Sequence, residues 1–174
     1  MNKLLEKLKL QLLILRLRLK VLFLKEKLTI PNLPSPKAIV VHYDGAGNSF
    51  ASVNNWHKQK WGFKSSLGFF CGYHYFIEFD GRVIQAREDN EEGAHCVDPR
   101  RPGFWNKNSI GICLQGDNSK FTPAQEGSLL WLLDNRKTEY SIDNSEIYTH
   151  KDIKTTDCPG TKIDTYIKGY RKRA

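Results

Sequence analysis

Two short apolar segments constrain the fold of this chain more than any other feature of its sequence. Residues 38–41 (AIVV) form a continuous apolar run, and residues 109–114 (SIGICL) form a second run that is almost as apolar. Short runs without polar alternation are typical of strands that are buried on both faces, as in sheets covered by helices on both sides. The sequence therefore predicts a central sheet between helices.

A hairpin and several helices complete the predicted architecture. A strand is predicted over residues 72–79, and the Asp80-Gly81 turn returns the chain into a hairpin partner at residues 82–86. The other predicted elements are a helix over residues 50–60 with Ser49 as N-cap, a helix from Thr122 to about Tyr140, a strand over residues 146–149 and a helix over residues 164–171. We therefore expect an α+β fold with a mixed, mainly central β-sheet in three α/β/α layers.

The first part of the chain differs from the rest and divides the sequence into three regions. Residues 1–28 are leucine-rich, residues 29–36 contain three prolines and predict an extended linker, and residues 37–174 form the predicted domain. Leucines at 3–4 spacing within residues 1–28 predict an amphipathic helix, although alternation at residues 15–21 leaves a strand as the alternative. A second apolar set falls on the opposite helix face, so we expect self-association, packing on the domain or contact with a membrane surface.

The charge distribution argues against nucleic acid as the partner of the domain. Of the formal net charge of +8, residues 1–28 carry +6, with eight Lys or Arg and two Glu. A nucleic-acid or membrane-surface protein acting through residues 1–28 is an alternative that explains this charge but none of the domain motifs. The longest charge-free run there, residues 10–15, is too short for a signal peptide or a bilayer span. Secretion through an ordinary signal peptide is therefore not expected.

Two predicted strands end at a histidine, and a nearby loop supplies a cysteine. His42 follows residues 38–41, His150 follows residues 146–149, and Cys158 lies in a polar loop eight residues further on. If the two strands are neighbours, both histidines lie at the same edge of the sheet. Two imidazoles and one thiolate suit Zn²⁺, and three protein ligands leave one position open, as in catalytic sites. The predicted chemistry is hydrolysis of an amide or ester. Three cysteines remain, an odd number, so we expect at least one free thiol with a buried packing role among Cys71, Cys96 and Cys113.

Seven separated motifs give this site a family context. In chain order they are VH at 41–42, NWHK at 55–58, GYHYFI at 72–77 with its Asp80-Gly81 turn, GAH at 93–95, NSIGICL at 108–114, FTPAQ at 121–125 and HKDIKTTDCPG at 150–160. Together they resemble the zinc-dependent N-acetylmuramoyl-L-alanine amidases, the group shared by phage lysozyme-type amidases and peptidoglycan recognition proteins. The resemblance covers roughly residues 38–168 and leaves residues 1–36 unexplained.

The resemblance implies a zinc-dependent hydrolase that degrades or turns over the cell wall. It implies a zinc ion held by His42, His150 and Cys158, and cleavage of the amide between N-acetylmuramic acid and L-alanine of peptidoglycan or muropeptides. Tyr73 is the implied catalytic tyrosine, whose phenol would hydrogen-bond the attacking water or the oxyanion; the alternative is a core tyrosine. Thr156 is the second implied catalytic residue, where many phage-type members have lysine. The alternative function is a non-catalytic peptidoglycan-binding module.

The remaining candidate residues are possible substrate contacts and two histidines with expected structural roles. The resemblance places His95 in the substrate groove, with a structural histidine as the alternative. Trp105 and the residues from Asn106 to Asn108 lie in a loop that could contact sugar or peptide or could be a plain surface loop. For His74 and His57 we expect structural roles, because His74 alternates away from Tyr73 along its strand and His57 lies on a predicted helix.

Overall fold

The computed structural model describes residues 35–173. The predicted helix over residues 1–28 and nearly all of the predicted linker lie outside this range, so their roles stay predictions. Within residues 35–173, every helix is too short or too polar to cross a bilayer.

Five strands form one mixed sheet, as predicted. They are β1 (Ala38–Tyr43), β2 (Tyr75–Ile77), β3 (Val83–Gln85), β4 (Ser109–Leu114) and β5 (Ile147–Thr149). The order across the sheet is β3-β2-β4-β1-β5, and every neighbouring pair is parallel except the β2–β3 hairpin. The two apolar runs are the adjacent strands β1 and β4, which are buried along almost their whole length.

Five α-helices connect and flank these strands. They are α1 (Phe50–Lys60), α2 (Phe104–Asn108), α3 (Pro123–Tyr140), α4 (His150–Ile153) and α5 (Thr161–Arg171). The hydroxyl of Ser49 accepts the Ser52 N–H at the start of α1, and Thr122 with Gln125 forms a capping box at the start of α3. The predicted α1 and α3 are therefore confirmed, whereas α2 and α4 were missed because five or four residues are too few to show a helical period.

The helices cover both faces of the sheet, which gives the three predicted layers. On one face, α3 and α5 pack their buried leucine and isoleucine side chains against Ile39 and Val41 of β1. On the other face, α1 covers β2 and β4, while α2 and α4 pack around Val40. Each fully buried Leu or Ile contributes about 1.5–3 kcal/mol to folding. Because successive strand residues point to opposite faces, His42 shares the second face with Val40.

The register of the parallel strands fixes where the functional residues lie. Val41 of β1 is opposite Thr149 of β5, and His42 is opposite Cys113 of β4. The carboxyl ends of these strands therefore meet at one edge of the sheet. His150, the first residue of α4, follows β5 directly at this edge.

The predicted strand over residues 72–79 is longer than the observed β2. The backbone at Gly72 accepts a hydrogen bond from the Ala94 N–H at 2.9 Å, and a Cβ at this glycine would lie 2.3 Å from the Ala94 carbonyl oxygen. Gly72 thus packs against a loop, whereas the His74 carbonyl still accepts the Ala86 N–H at 2.8 Å.

Candidate metal centre

The structure brings together the three residues that the sequence predicts as ligands. His42 lies in β1, His150 begins α4, and Cys158 lies in the loop between α4 and α5. Their ligand atoms all lie within 4.8 Å of one another. The Sγ atom of Cys158 is 3.8 Å from Nδ1 of His42, and the two imidazole centroids are 4.6 Å apart.

Local hydrogen bonds hold the two ligands that lie outside the sheet. A capping box between Thr149 and Asp152 starts α4 and thereby fixes His150, with the Asp152 carboxylate accepting the Thr149 N–H at 2.7 Å. The Sγ atom of Cys158 accepts the backbone N–H of Tyr43 at 3.4 Å, which ties the loop to the end of β1.

Burial keeps the metal-binding groups neutral. It holds the pKa of His42 well below its usual value, aided by the neighbouring His95 and His150, and it lowers the pKa of His150 to about 4, aided by Lys154. Neutral imidazoles have the free lone pair that a metal requires. Burial also raises the pKa of Cys158 to about 12, so a metal must displace a thiol proton when it binds.

The side chains at this edge fit one metal ion. The Nε2 atom of His150 is buried and has no hydrogen-bond partner among the described residues, an arrangement that costs about 1–3 kcal/mol unless a ligand satisfies it. Tetrahedral zinc with its usual bond lengths holds nitrogen and sulfur ligands about 3.5 Å apart, close to the separation of His42 Nδ1 and Cys158 Sγ. Two imidazoles and one thiolate can therefore close on such an ion with small movements.

The predicted catalytic residues lie beside this cluster. The ring of Tyr73 is half-buried and lies 5.2 Å from the His42 ring. Burial, together with the thiols of Cys113 and Cys158, raises the pKa of Tyr73 well above its usual value, so the phenol keeps its proton. The Thr156 hydroxyl accepts the Cys158 N–H at 3.3 Å, which leaves its own proton free for another acceptor.

A cavity of about 270 Å³ opens next to Tyr73. Its lining residues are Asp44, Asn48, Ser52, Val53, Trp56, His57 and Tyr73. The Asp44 carboxylate shapes one wall, because it accepts the backbone N–H groups of Asn48 at 2.8 Å and Gly116 at 2.6 Å. Asp44 was not predicted as a site residue, although an aspartate before a Gly-Ala-Gly-Asn loop is typical of side chains that accept local backbone hydrogen bonds.

The three residues predicted to contact substrate are not among those that line this cavity. Trp105 is only 8% exposed, and its indole N–H donates to Asp98 at 3.3 Å, so it belongs to the hydrophobic core. The Asn108 side chain donates to the Phe104 carbonyl at 2.8 Å and closes α2. His95 is also only 8% exposed and lies behind His42, with 3.1 Å between Nδ1 of His95 and Nε2 of His42.

The other two histidines have structural contacts, as expected. Nδ1 of His57 accepts the Gly72 N–H at 2.9 Å, although the same ring also borders the cavity. Nδ1 of His74 accepts the Gly111 N–H at 3.0 Å, and its Nε2 lies 2.9 Å from the Glu91 carbonyl.

The side chain of Asn106, in the loop predicted to contact sugar or peptide, has a structural contact instead. Its Oδ1 accepts the backbone N–H groups of both His95, at 3.0 Å, and Cys96, at 2.9 Å. Asn106 therefore holds the segment that carries His95. Nothing in its sequence context distinguishes it from a surface loop residue.

The remaining cysteines are Cys71, Cys96 and Cys113, and all three are buried free thiols, which confirms the expected packing role.

Comparison with known proteins connects this arrangement to one enzyme family. A family model described as N-acetylmuramoyl-L-alanine amidase matches residues 32–161. The chain is 31% identical over 134 residues to the endolysin of Enterobacteria phage T3, with 71% of this chain and 80% of the endolysin covered.

The chain is also similar to a peptidoglycan-recognition protein and to an amidase of known structure. The chain is 31% identical over 122 residues to peptidoglycan-recognition protein SC1a of Drosophila melanogaster, with 68% of this chain covered, and it spans 60% of that protein's length. The solved structure of N-acetylmuramoyl-L-alanine amidase LysC from Clostridium intestinale URNW superposes with a TM-score of 0.64 at 29% identity. That superposition covers 79% of this chain and 85% of LysC, and it shares the helix-flanked mixed sheet described above.

Proposed function

The chain belongs to the N-acetylmuramoyl-L-alanine amidase family, and from this premise we propose that it is a zinc-dependent hydrolase of peptidoglycan. The proposed reaction cleaves the amide between N-acetylmuramic acid and L-alanine of the stem peptide. The observation that carries the proposal is the convergence of His42, His150 and Cys158 at one sheet edge, beside a cavity. Similarity to a phage endolysin supports cell-wall degradation as the biological setting.

The protein groups around the cluster have separate roles in this proposal. His42, His150 and Cys158 would hold the zinc ion. Bound zinc supplies a Lewis acid that polarises a carbonyl and lowers the pKa of a water towards 7. The cavity beside Tyr73 would receive part of the muropeptide, since it combines polar side chains with the aromatic face of Trp56.

Tyr73 and Thr156 would stabilise the charge that develops on the amide oxygen. The phenol of Tyr73 keeps its proton at neutral pH and can donate a hydrogen bond to the oxyanion that forms when water adds to the carbonyl. The Thr156 hydroxyl acts only as an acceptor towards the Cys158 N–H, so its own proton is free. The hydroxyl can therefore donate a hydrogen bond to the same oxyanion. Thr156 adds no positive charge, so we expect a smaller contribution from it than from a lysine.

Metal analysis and an activity assay on matched cysteine variants test the proposal. We expect one zinc per purified chain, and release of new L-alanine amino groups when the protein is added to cell-wall material. Cys158→Ala should lose both properties. Cys96→Ala, which removes a buried thiol outside the cluster, should keep both. Absence of zinc from the wild-type chain, or undiminished release by Cys158→Ala, would show that the proposal is wrong.

A non-catalytic peptidoglycan-binding module is the second candidate, because the chain is also similar to a peptidoglycan-recognition protein. Retention of Cys158 favours the enzyme, since a module that only binds has no need for a third metal ligand. Binding of muropeptide by the zinc-loaded chain without release of amino groups would favour the module.

A further inference from the structure

His95 makes a side-chain contact with a metal-binding residue. Its Nδ1 lies 3.1 Å from Nε2 of His42, and both rings are buried. His42 thus has a different neighbour at each ring nitrogen, with Cys158 Sγ at Nδ1 and His95 at Nε2.

These two contacts assign the protons of both rings. Nδ1 of His42 faces Cys158 and is the nitrogen that can reach a metal between the ligands, so the ring proton must lie on Nε2. That N–H then donates to Nδ1 of His95, which must be unprotonated. An imidazole that accepts a hydrogen bond at Nδ1 carries its ring proton on Nε2, so Nε2 is the protonated nitrogen of His95.

The surrounding backbone is built to admit the His95 ring at this position. A Cβ on Gly111 of β4 would lie 2.5 Å from Cγ of His95, and a Cβ on Gly93 would lie 2.5 Å from its Cδ2. Real Cβ atoms do not approach other atoms so closely, so any larger residue at either position would displace the ring. The two backbone N–H groups that Asn106 binds fix the same segment from the other side.

We propose that His95 is a positioning residue, which accepts the Nε2–H of His42 and thereby holds the His42 ring in the tautomer and orientation that bind metal through Nδ1. This inference rests on the zinc site proposed above. Metal-binding histidines usually donate their other N–H to a carboxylate, a carbonyl or water, and loss of such a partner typically weakens metal binding 10–100-fold. Here a second histidine, held between two glycines, provides the acceptor.

Zinc affinity, measured by competition with a chromogenic chelator, tests the role of the acceptor. His95→Leu fills part of the space without an acceptor, and we expect about 10–100-fold weaker zinc binding. His95→Asn places an amide oxygen near the position of Nδ1 and should restore affinity to within about threefold of wild type. Gly127→Ala, a change on α3 with open space around its Cβ and outside the site, should leave zinc affinity at the wild-type level. Circular dichroism of each variant shows whether it has folded.

The outcomes separate failure of the His95 role from failure of the zinc site on which that role depends. A wild-type chain without zinc affinity would overturn both. Normal zinc affinity in folded His95→Leu, or equal losses in His95→Leu and His95→Asn, would overturn only the role of His95.

A measurement on the wild-type protein keeps the test valid if His95→Leu does not fold. Long-range ¹H–¹⁵N NMR spectra of the zinc-loaded chain report which nitrogen of each imidazole carries a proton. We expect the proton on Nε2 in both His42 and His95. A proton on Nδ1 of His95 would overturn the inference, because that nitrogen could then not accept the His42 hydrogen bond.

Discussion

Replacing His57 by asparagine should reduce the sensitivity of the fold to acid. His57 is buried on α1, and its Nδ1 accepts the Gly72 N–H. Burial, followed by the charges of Arg87 and Lys60, lowers the pKa of His57 to about 4. The Oδ1 atom of asparagine can accept the same hydrogen bond but does not titrate in this range. The variant therefore keeps the contact and removes the titration.

The magnitude follows from the pKa difference between the folded and unfolded states. The unfolded histidine has a pKa of about 6.5, so between pH 6.5 and pH 4 the unfolded chain binds more protons at this position than the folded one. The contribution of His57 to stability is complete above pH 6.5 and is lost as the pH falls towards 4. Between pH 7.5 and pH 5.0 this single group should remove about 2 kcal/mol from the free energy of unfolding.

Urea unfolding at pH 7.5, 6.5, 5.5 and 5.0, followed by tryptophan fluorescence, measures this effect. Chelator in all samples keeps metal binding from adding its own pH dependence. The wild-type chain should lose more than 2 kcal/mol, since other buried histidines titrate in the same direction, so the quantity of interest is its difference from His57→Asn. Parallel curves for the two proteins, with equal m-values, would refute the reasoning because His57 would then titrate alike in both states.

Three further substitutions test the site and its support. Tyr73→Phe should lower kcat in the amidase assay about 10²–10³-fold and leave the zinc content unchanged, because it removes an oxyanion donor but no ligand; an unchanged kcat would exclude that role. Arg87→Met should lower the free energy of unfolding, measured in urea, by about 3 kcal/mol. The fully buried guanidinium donates to three backbone carbonyls, which would lose their partner. A loss below about 0.5 kcal/mol would contradict this account. Gly111→Ala should weaken zinc binding and lower the free energy of unfolding by about 1–3 kcal/mol, because its Cβ would displace His95. Gly127→Ala, with open space around its Cβ, should be neutral or slightly stabilising. Similar behaviour of the two variants would contradict the close packing at Gly111.

Local signals explain which parts of the fold could be predicted from the sequence. The start of α3 was predicted to within one residue, because the N-cap Thr122 and Pro123 at the first helical position are signals that depend only on adjacent residues. Strands β1 and β4 were predicted because short apolar runs require burial on both faces. The ends of β2 were not, since they depend on where Gly72 packs against Ala94. That contact joins distant parts of the chain and leaves no periodic pattern.

Within the candidate site as well, features with a local sequence signal could be predicted and features set by distant contacts could not. His42 and His150 could be predicted to meet because each lies at the carboxyl end of a strand, and parallel neighbouring strands end at the same edge. The burial of Trp105 could not be predicted, because an aromatic residue in an irregular segment has the same sequence context whether it is exposed or buried. Its burial is decided by the contact with Tyr148, 43 positions away in the numbering and 5.0 Å away between ring centroids.

The position of the His95 ring could not be predicted from the sequence for a different reason. The space for its ring exists because positions 93 and 111 lack side chains, and in the sequence these glycines resemble an ordinary loop glycine and an ordinary strand glycine. The three proposed ligands alone therefore define where a metal can bind, whereas the two glycines determine whether His42 is held in the tautomer that binds it. It follows that a related chain with the same three ligands but alanine at position 111 should bind zinc more weakly, although its ligand set would be identical.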